Sequence, residues 1–175
     1  RTFGIPHSAA INQPVTELLF PEPMRATMAR AFHDFAGLFL PRRCGACGQG
    51  LRHFEPTLCI LCKADLPRTR FHDDPNNRVE ELFRGKVRLE AASAFLHFNP
   101  SGMVQQMLHR IKYQHDRELG IELGRLMGED IRTSTRFATV DLLLPVPLHR
   151  RKEHMRGYNQ SQLLVDGMCE HWPME

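Results

Sequence analysis

Apolar positions recur at helical spacing in four stretches of this chain and in strand-like runs in two others. Met103, Val104, Met107, Leu108 and Ile111 fall every three or four residues, which predicts an amphipathic helix. Leu119, Leu123, Leu126 and Met127 predict a second, and Leu163, Leu164 and Met168 predict another between Asn159 and His171. Upstream, Met28, Phe32, Phe35 and Leu38 repeat in the same way from Met24 to Leu40, stopped by Pro41. Leu89 to Phe98 instead places Ala92, Ala94, Leu96 and Phe98 on one face at a period of two, closed by Asn99-Pro100-Ser101-Gly102. Val140 to Val146 is apolar except for Asp141 and Pro145, the pattern of a buried parallel strand.

Two strands with helices between and after them begin a doubly wound sheet, so the expected fold class is α/β. Other segments lack a period. Residues 1–22 carry Pro6, Pro14 and Pro21 and read as an irregular arm, while 66–88 is polar and turn-rich (Asp73-Asp74-Pro75-Asn76-Asn77). The resulting division is an arm and helix at 1–40, a cysteine module at 41–66, a linker or loop at 67–88, and a partial α/β domain at 89–175.

Composition narrows the classes. The chain has 175 residues, 42% hydrophobic and 25% charged, which argues against disorder and allows a real core. No apolar run is long enough to span a bilayer. Residues 1–21 have no continuous apolar segment of the kind a secretory signal carries. The net charge of +3 is too small to demand nucleic acid or anionic membrane by itself. Only Lys63, Lys86, Lys112 and Lys152 are lysines, so arginine dominates the 23 cations. Arginine forks suit phosphate, although GC-rich codon usage gives the same excess.

Four of the five cysteines sit in two short pairs, Cys44-Gly45-Ala46-Cys47 and Cys59-Ile60-Leu61-Cys62. Each C-x2-C turn can present two sulfurs to one ion, and four thiolates close a tetrahedral shell around zinc with no open position. Such a site is structural, and the usage fits a reducing, cytoplasmic compartment. Unligated cysteines or a redox pair are the alternative; two pairs at short range favour zinc. His53 lies between the pairs and reads as a loop histidine, and Cys169 as a small apolar residue.

The second cluster of chemistry follows the apolar run. Leu142 to His149 reads Leu-Leu-Leu-Pro-Val-Pro-Leu-His, then Arg150-Arg151-Lys152-Glu153-His154-Met155-Arg156-Gly157-Tyr158-Asn159-Gln160. A strand running into a turn, cations and a helix is where open α/β sheets bind ligands, with backbone N–H groups turned toward an anion. From charge alone a solvated basic loop explains the stretch as well.

The wording of this segment, Pro145-Val146-Pro147-Leu148-His149, then Arg151-Lys152, then Arg156-Gly157-Tyr158-Asn159-Gln160, resembles the ComF family of phosphoribosyltransferase-like proteins. Leu38-Phe39-Leu40-Pro41 running into the cysteine pairs is similar to that family, as is Ile111-Lys112-Tyr113 followed by Leu119-Gly120 and Leu123-Gly124. The resemblance spans roughly residues 30–172. It implies an N-terminal zinc ribbon, held by Cys44, Cys47, Cys59 and Cys62, on a type I phosphoribosyltransferase fold. It also implies a link to competence and DNA uptake or to nucleotide metabolism, and use of phosphoribosyl pyrophosphate (PRPP) with Mg2+. Carried over by position, Pro145, Val146, Pro147 and Leu148 form the pyrophosphate-side loop. Arg151, Lys152 and Arg156 close over phosphate, Gly157 permits the bend, Asn159 and Gln160 cap the next helix or bond ligand oxygens, and Lys112 and Tyr113 wall the site, with a packing role as the alternative for Tyr113.

One element of that pattern is not in this sequence. The fold's ribose-phosphate loop is a strand, two adjacent acids and a Thr-Thr-Gly-like turn. Asp73-Asp74 runs into Pro75 with no strand before it, and Val165-Asp166-Gly167 has one acid inside a predicted helix. The expectation is an N-terminal portion of a ComF-like protein, or a naturally truncated relative. Three functions follow as expectations: a PRPP-using transferase when the complete protein carries that loop, a non-catalytic zinc-ribbon module binding single-stranded DNA or a DNA-uptake protein, or a structural fragment.

Overall fold

The computed structural model describes residues 42–171; the expected arm at 1–22 and helix at 24–40 lie outside the described residues. Among these, six α-helices and one short 3-10 turn follow in chain order: α1 Ile60–Ala64, α2 Arg78–Phe83, α3 Met103–Tyr113, α4 Arg117–Ile131, a 3-10 turn at Thr135–Phe137, α5 Arg150–Arg156 and α6 Gln160–His171.

The three long helices form where the apolar period predicts them, and two of them start on a side-chain cap. Asp116 accepts the Leu119 N–H at 3.2 Å and starts α4. Asn159 does the same for α6, taking the Ser161 N–H at 3.0 Å. Arg110 and Lys112 in the last turn of α3 suit the negative end of its dipole. Val104, Met107 and Ile111 of α3 and Leu119, Leu123 and Leu126 of α4 are buried in one cluster with Leu163 of α6. The cysteine module joins that cluster through Cys44, Ala46, Leu58, Cys62 and Leu66. Each fully buried side chain of this size contributes about 1.5–3 kcal/mol.

Helix α4 packs on α6 at unusually short range because both present glycine. A Cβ on Gly124 would lie 2.3 Å from the Leu164 carbonyl oxygen, and one on Gly167 only 2.0 Å from that of Ile121. No side chain fits there. Glu122, buried on α4, meets Arg125 at 3.3 Å and Lys63 of the cysteine module at 2.8 Å, and Arg125 also bonds Glu170 of α6. The buried carboxylate is therefore paired from two sides, which offsets its desolvation.

The strands are where the structure departs from the sequence pattern. The described residues are mostly helical and hold only two isolated antiparallel bridges, Arg43 with Gly50 and Arg68 with Leu96. Residues 89–98 form no strand and bend at Glu90 and Phe95, pairing with 67–69 only through Thr69 N–H to Phe95 O at 3.0 Å and His97 N–H to Pro67 O at 2.8 Å. The contact is antiparallel and two bonds long, not the opening of a parallel sheet. Val140 to Val146 forms no ladder among the described residues, and Leu142, Leu144 and Val146 are 66%, 76% and 72% exposed. The expected buried strand is thus an exposed segment without regular structure here. A parallel strand needs a neighbour's edge for its backbone groups, and none of the described residues supplies one. The doubly wound α/β sheet is not formed by residues 42–171.

The polar segment 67–88 is also more ordered than its composition suggests. Asn77, 1% exposed, accepts the N–H groups of Val79 and Glu80 to start α2. Its amide nitrogen donates to the carbonyls of Phe71, Asp74 and Ala92, tying 71–77 to the 89–98 segment.

Candidate functional site

The first candidate centre is built by two local turns. Cys44 begins a tight knuckle: its N–H donates to Gln49 O at 2.8 Å, and its carbonyl accepts Gly48 N–H at 2.9 Å. Gly48 sits at φ +75°, a conformation costly for any residue with a Cβ, so the knuckle requires glycine there. The second pair enters α1, which contributes Cys62, with Cys59 at its N-cap. Glu55 organises this entrance: one carboxylate oxygen accepts the Arg52 N–H at 2.7 Å and the other the Ile60 N–H at 2.8 Å. These backbone donors hold its carboxyl below the usual range. Gly45 N–H to Thr57 O, at 2.8 Å, joins the two turns.

The result brings Cys44, Cys47, Cys59 and Cys62 together, with all four sulfurs within 4.8 Å of one another and Cys47 Sγ 3.9 Å from Cys59 Sγ. Sulfurs bound tetrahedrally at 2.3 Å from zinc stand ~3.8 Å apart, so the spacing fits that ion. The thiols are not alike. Burial pushes the Cys44 thiol up, but the N–H groups of Cys47, Cys59 and Ala46 outweigh it and bring Cys44 down to about 6. Cys62 is pushed well up by burial and by its three sulfur neighbours. Four adjacent thiolates are stable together only around a cation, which is the chemistry of a structural metal centre. Cys169, by contrast, is exposed on α6.

The module is fixed to the helices by polar anchors that spacing did not reveal. Arg110 on α3 donates to the Cys44 carbonyl at 3.0 Å while its other nitrogens bond Asp116, at 2.7 Å and 2.9 Å. Lys63, one residue past Cys62, reaches Glu122. Leu119 packs against Gly45 so closely that a Cβ there would stand 2.7 Å from it. Helical periodicity marked Leu119 and the C-x2-C spacing marked the four sulfurs, but nothing in the sequence pairs Arg110 with residue 44.

The second candidate is the basic segment. Residues 150–156 form a helix, α5, rather than a loop, closed by Gly157 at φ +71°. The His149 ring accepts the Arg151 N–H at 3.3 Å, so one of the backbone donors expected to face an anion is already taken. Arg151 and Lys152 lie exposed on α5. The turn after α5 is tied down at three points. Tyr158 is buried, with its hydroxyl donating to the Ile111 carbonyl, and burial raises its phenol. Arg117 lies 4.8 Å over the Tyr158 ring and donates to Gly157 O at 2.9 Å. Asn159 donates to Val146 O at 3.0 Å, joining the Pro145–Leu148 loop to the start of α6.

Residues more than forty apart in sequence meet here. Arg156 stands 5.7 Å over the ring of Tyr113 and donates to Gln160 Oε1 at 2.7 Å. Tyr113 is 61% exposed, so its ring is a surface feature, and Lys112 beside it is exposed too. Tyr113, Arg156, Gly157, Asn159, Gln160 and Val146 therefore form one connected face. Pro145 and Leu148 flank it half-buried and Pro147 exposed, while Arg151 and Lys152 extend from it along α5. Among the described residues no helix is long and apolar enough to cross a membrane.

Comparison with known proteins gives relatives but no family assignment. The chain is 28% identical over 124 residues to the DNA utilization protein YhgH of Escherichia coli K12, covering 69% of this chain and 51% of that protein. The Shigella flexneri protein of the same name matches over the same span at the same identity. That of Salmonella typhi is 33% identical over 69 residues, or 38% of this chain and 30% of the relative. No protein-family model matches, and no solved structure matches significantly. The chain thus spans about half or less of the length of these three curated relatives, each of which carries the name DNA utilization protein.

Proposed function

We propose that this chain is the metal-binding and phosphate-facing portion of a ComF-like DNA utilization protein, a phosphoribosyltransferase relative that binds PRPP or a pyrophosphate-type ligand. The observation that carries the reading is the joining of Lys112–Tyr113 to Arg156–Gln160 and, through Asn159, to the Pro145–Leu148 loop. These are the segments that share the family's wording. They come from separate parts of the chain and lie on one cationic surface.

In this reading Cys44, Cys47, Cys59 and Cys62 hold zinc. The ion supplies folding free energy to a module too small to have a core of its own. Arg156, Arg151 and Lys152 attract and hold the pyrophosphate, and the backbone of Pro145–Leu148 positions it. Such a site stabilises departing pyrophosphate mainly by preorganised positive charge, with Mg2+ accompanying PRPP. Transfer itself is assigned to the complete protein, because the ribose-phosphate loop is not among these residues.

Calorimetry of PRPP with Mg2+ against the full-length protein tests this. Binding that weakens at least tenfold in Arg156→Ala is expected, and no heat of binding in the zinc-loaded protein would sink the transferase reading.

A second reading has its own support. The cationic face includes the exposed Tyr113 ring under Arg156, and arginines grip DNA phosphate as readily as pyrophosphate. Here the segment binds single-stranded DNA without chemistry. The logarithm of affinity should then fall steeply with the logarithm of salt concentration, and Arg151→Ala with Arg156→Ala should flatten the slope. Absence of binding at low salt removes it.

A further inference from the structure

An open cavity of about 470 Å3 lies between the cysteine knuckle and the exposed side of α3. It shares Cys44 and Cys47 with the cysteine centre and none of its lining with the basic face. On one side it is bounded by Cys44 to Gly48, and on the other by Gln105, Gln106, His109, Arg110 and Gln114. Its lining mixes polar and apolar surface and carries one fixed cation, Arg110. The single guanidinium is committed to Asp116 and to the Cys44 carbonyl. Besides Ser101 and the thiols of Cys44 and Cys47, what remains are three side-chain amides, of which Gln105 already accepts the Ser101 N–H, and one heteroaromatic ring.

That ring opens a path out of the cavity. His109 packs against Tyr113, one turn further along α3, with centroids 4.9 Å apart, and Tyr113 carries Arg156 at 5.7 Å. A cation, two rings and an amide-lined cavity thus follow one another from the basic face to the knuckle. The amino-acid sequence places one aromatic residue, Tyr158, near the basic segment, and that one is buried. The fold replaces it with two exposed rings from α3.

We propose that this cavity takes a nucleobase of single-stranded DNA, stacked on His109, with its edge bonded by the amides of Gln106 and Gln114 and the adjoining phosphate held at Arg156. The inference rests on the single-stranded DNA reading and gives that reading a base-binding site. The chemistry selects this ligand class. A glutamine amide matches the paired donor and acceptor of a base edge, and a planar ring offers a sequence-tolerant face. A free anion would find little uncommitted charge inside the cavity. An apolar molecule would leave the amides unpaired.

The test uses the zinc-loaded full-length protein and two oligonucleotides of equal length, oligo-dT and an abasic strand with the same phosphates, measured by fluorescence anisotropy at several salt concentrations. Oligo-dT is expected to bind about tenfold or more tighter than the abasic strand, the scale of one stacked base. His109→Ala should remove most of that difference without changing the salt slope, and His109→Phe, which keeps a ring, should retain it. Arg156→Ala should flatten the slope for both strands. Salt-dependent binding that is equal for the two strands, and indifferent to His109→Ala, overturns the base site while leaving the DNA reading intact. Loss of affinity in His109→Phe equal to that in His109→Ala overturns stacking. No binding of either strand at low salt overturns both the site and the reading beneath it.

Discussion

Residues 117–131 and 140–146 are both rich in leucine, and the structure treats them in opposite ways. Leu119, Leu123 and Leu126 of α4 are 0%, 4% and 1% exposed, whereas Leu142 and Leu144 are 66% and 76% exposed. The difference is in where each segment finds its hydrogen bonds. A helix closes its backbone bonds within itself, so an apolar stripe needs only another surface to cover it. A strand must borrow its bonds from a neighbour, and α4 has α3, α6 and the cysteine module around it while 140–146 has no partner strand among the described residues. Hydrophobicity favours burial of both segments; only one could complete it locally.

The same contrast sets the order of the tests. The largest effect is expected at the cysteine centre, which anchors the buried side. Metal analysis should give one zinc per chain, and chelation or Cys62→Ser should unfold the 43–66 module, on a scale set by the ~10–16 kcal/mol apparent binding energies of small zinc domains. An unfolding midpoint untouched by chelation would mean that side is held by packing alone.

Next is the α4–α6 contact. Gly167→Ala puts a methyl where the Ile121 carbonyl now sits, and both groups are on backbones that cannot step aside. A loss of about 3 kcal/mol is expected by denaturant titration, against a helix-propensity gain of ~1 kcal/mol. A neutral result would show that the helices are further apart than this geometry requires.

A smaller effect concerns pH. The Ala92 N–H and the Arg136 guanidinium hold the Glu80 carboxyl below its ordinary value. A depressed carboxylate favours the folded state above the unfolded value of about 4.3 and loses that contribution as pH falls through its lower folded value. Acid should therefore loosen the packing of α2 against the 89–98 segment, and Glu80→Gln should remove that part of the pH dependence of unfolding. An unchanged acid limb would place the sensitivity elsewhere.

The smallest change is expected from Leu142→Ser and Leu144→Ser, within about 0.5 kcal/mol, because neither side chain gives up much contact. Hydrogen exchange sharpens the point: amides 142–146 should exchange rapidly and those of 119–126 slowly. Protection at 142–146 in the full-length protein would reveal a partner strand, and the two leucine segments would then cease to differ.

The sequence by itself determined the three long helices and the four-sulfur cluster. Both depend on interactions between residues close in the chain, such as the i, i+4 repeat of Leu119 and Leu123 or the knuckle closed by Gly48. It also marked the residues of the basic face one segment at a time. Only the tertiary structure decided which of them meet. Arg156 over Tyr113, Arg110 on the Cys44 carbonyl and Glu122 between Lys63 and Arg125 are contacts across 43 residues or more, or within a helix already docked. The tertiary structure decided as well against the two expected strands, since alternation describes a face a segment could bury and pairing depends on what stands beside it. Local patterns fix what each segment can form, and the partners within reach fix what it does form.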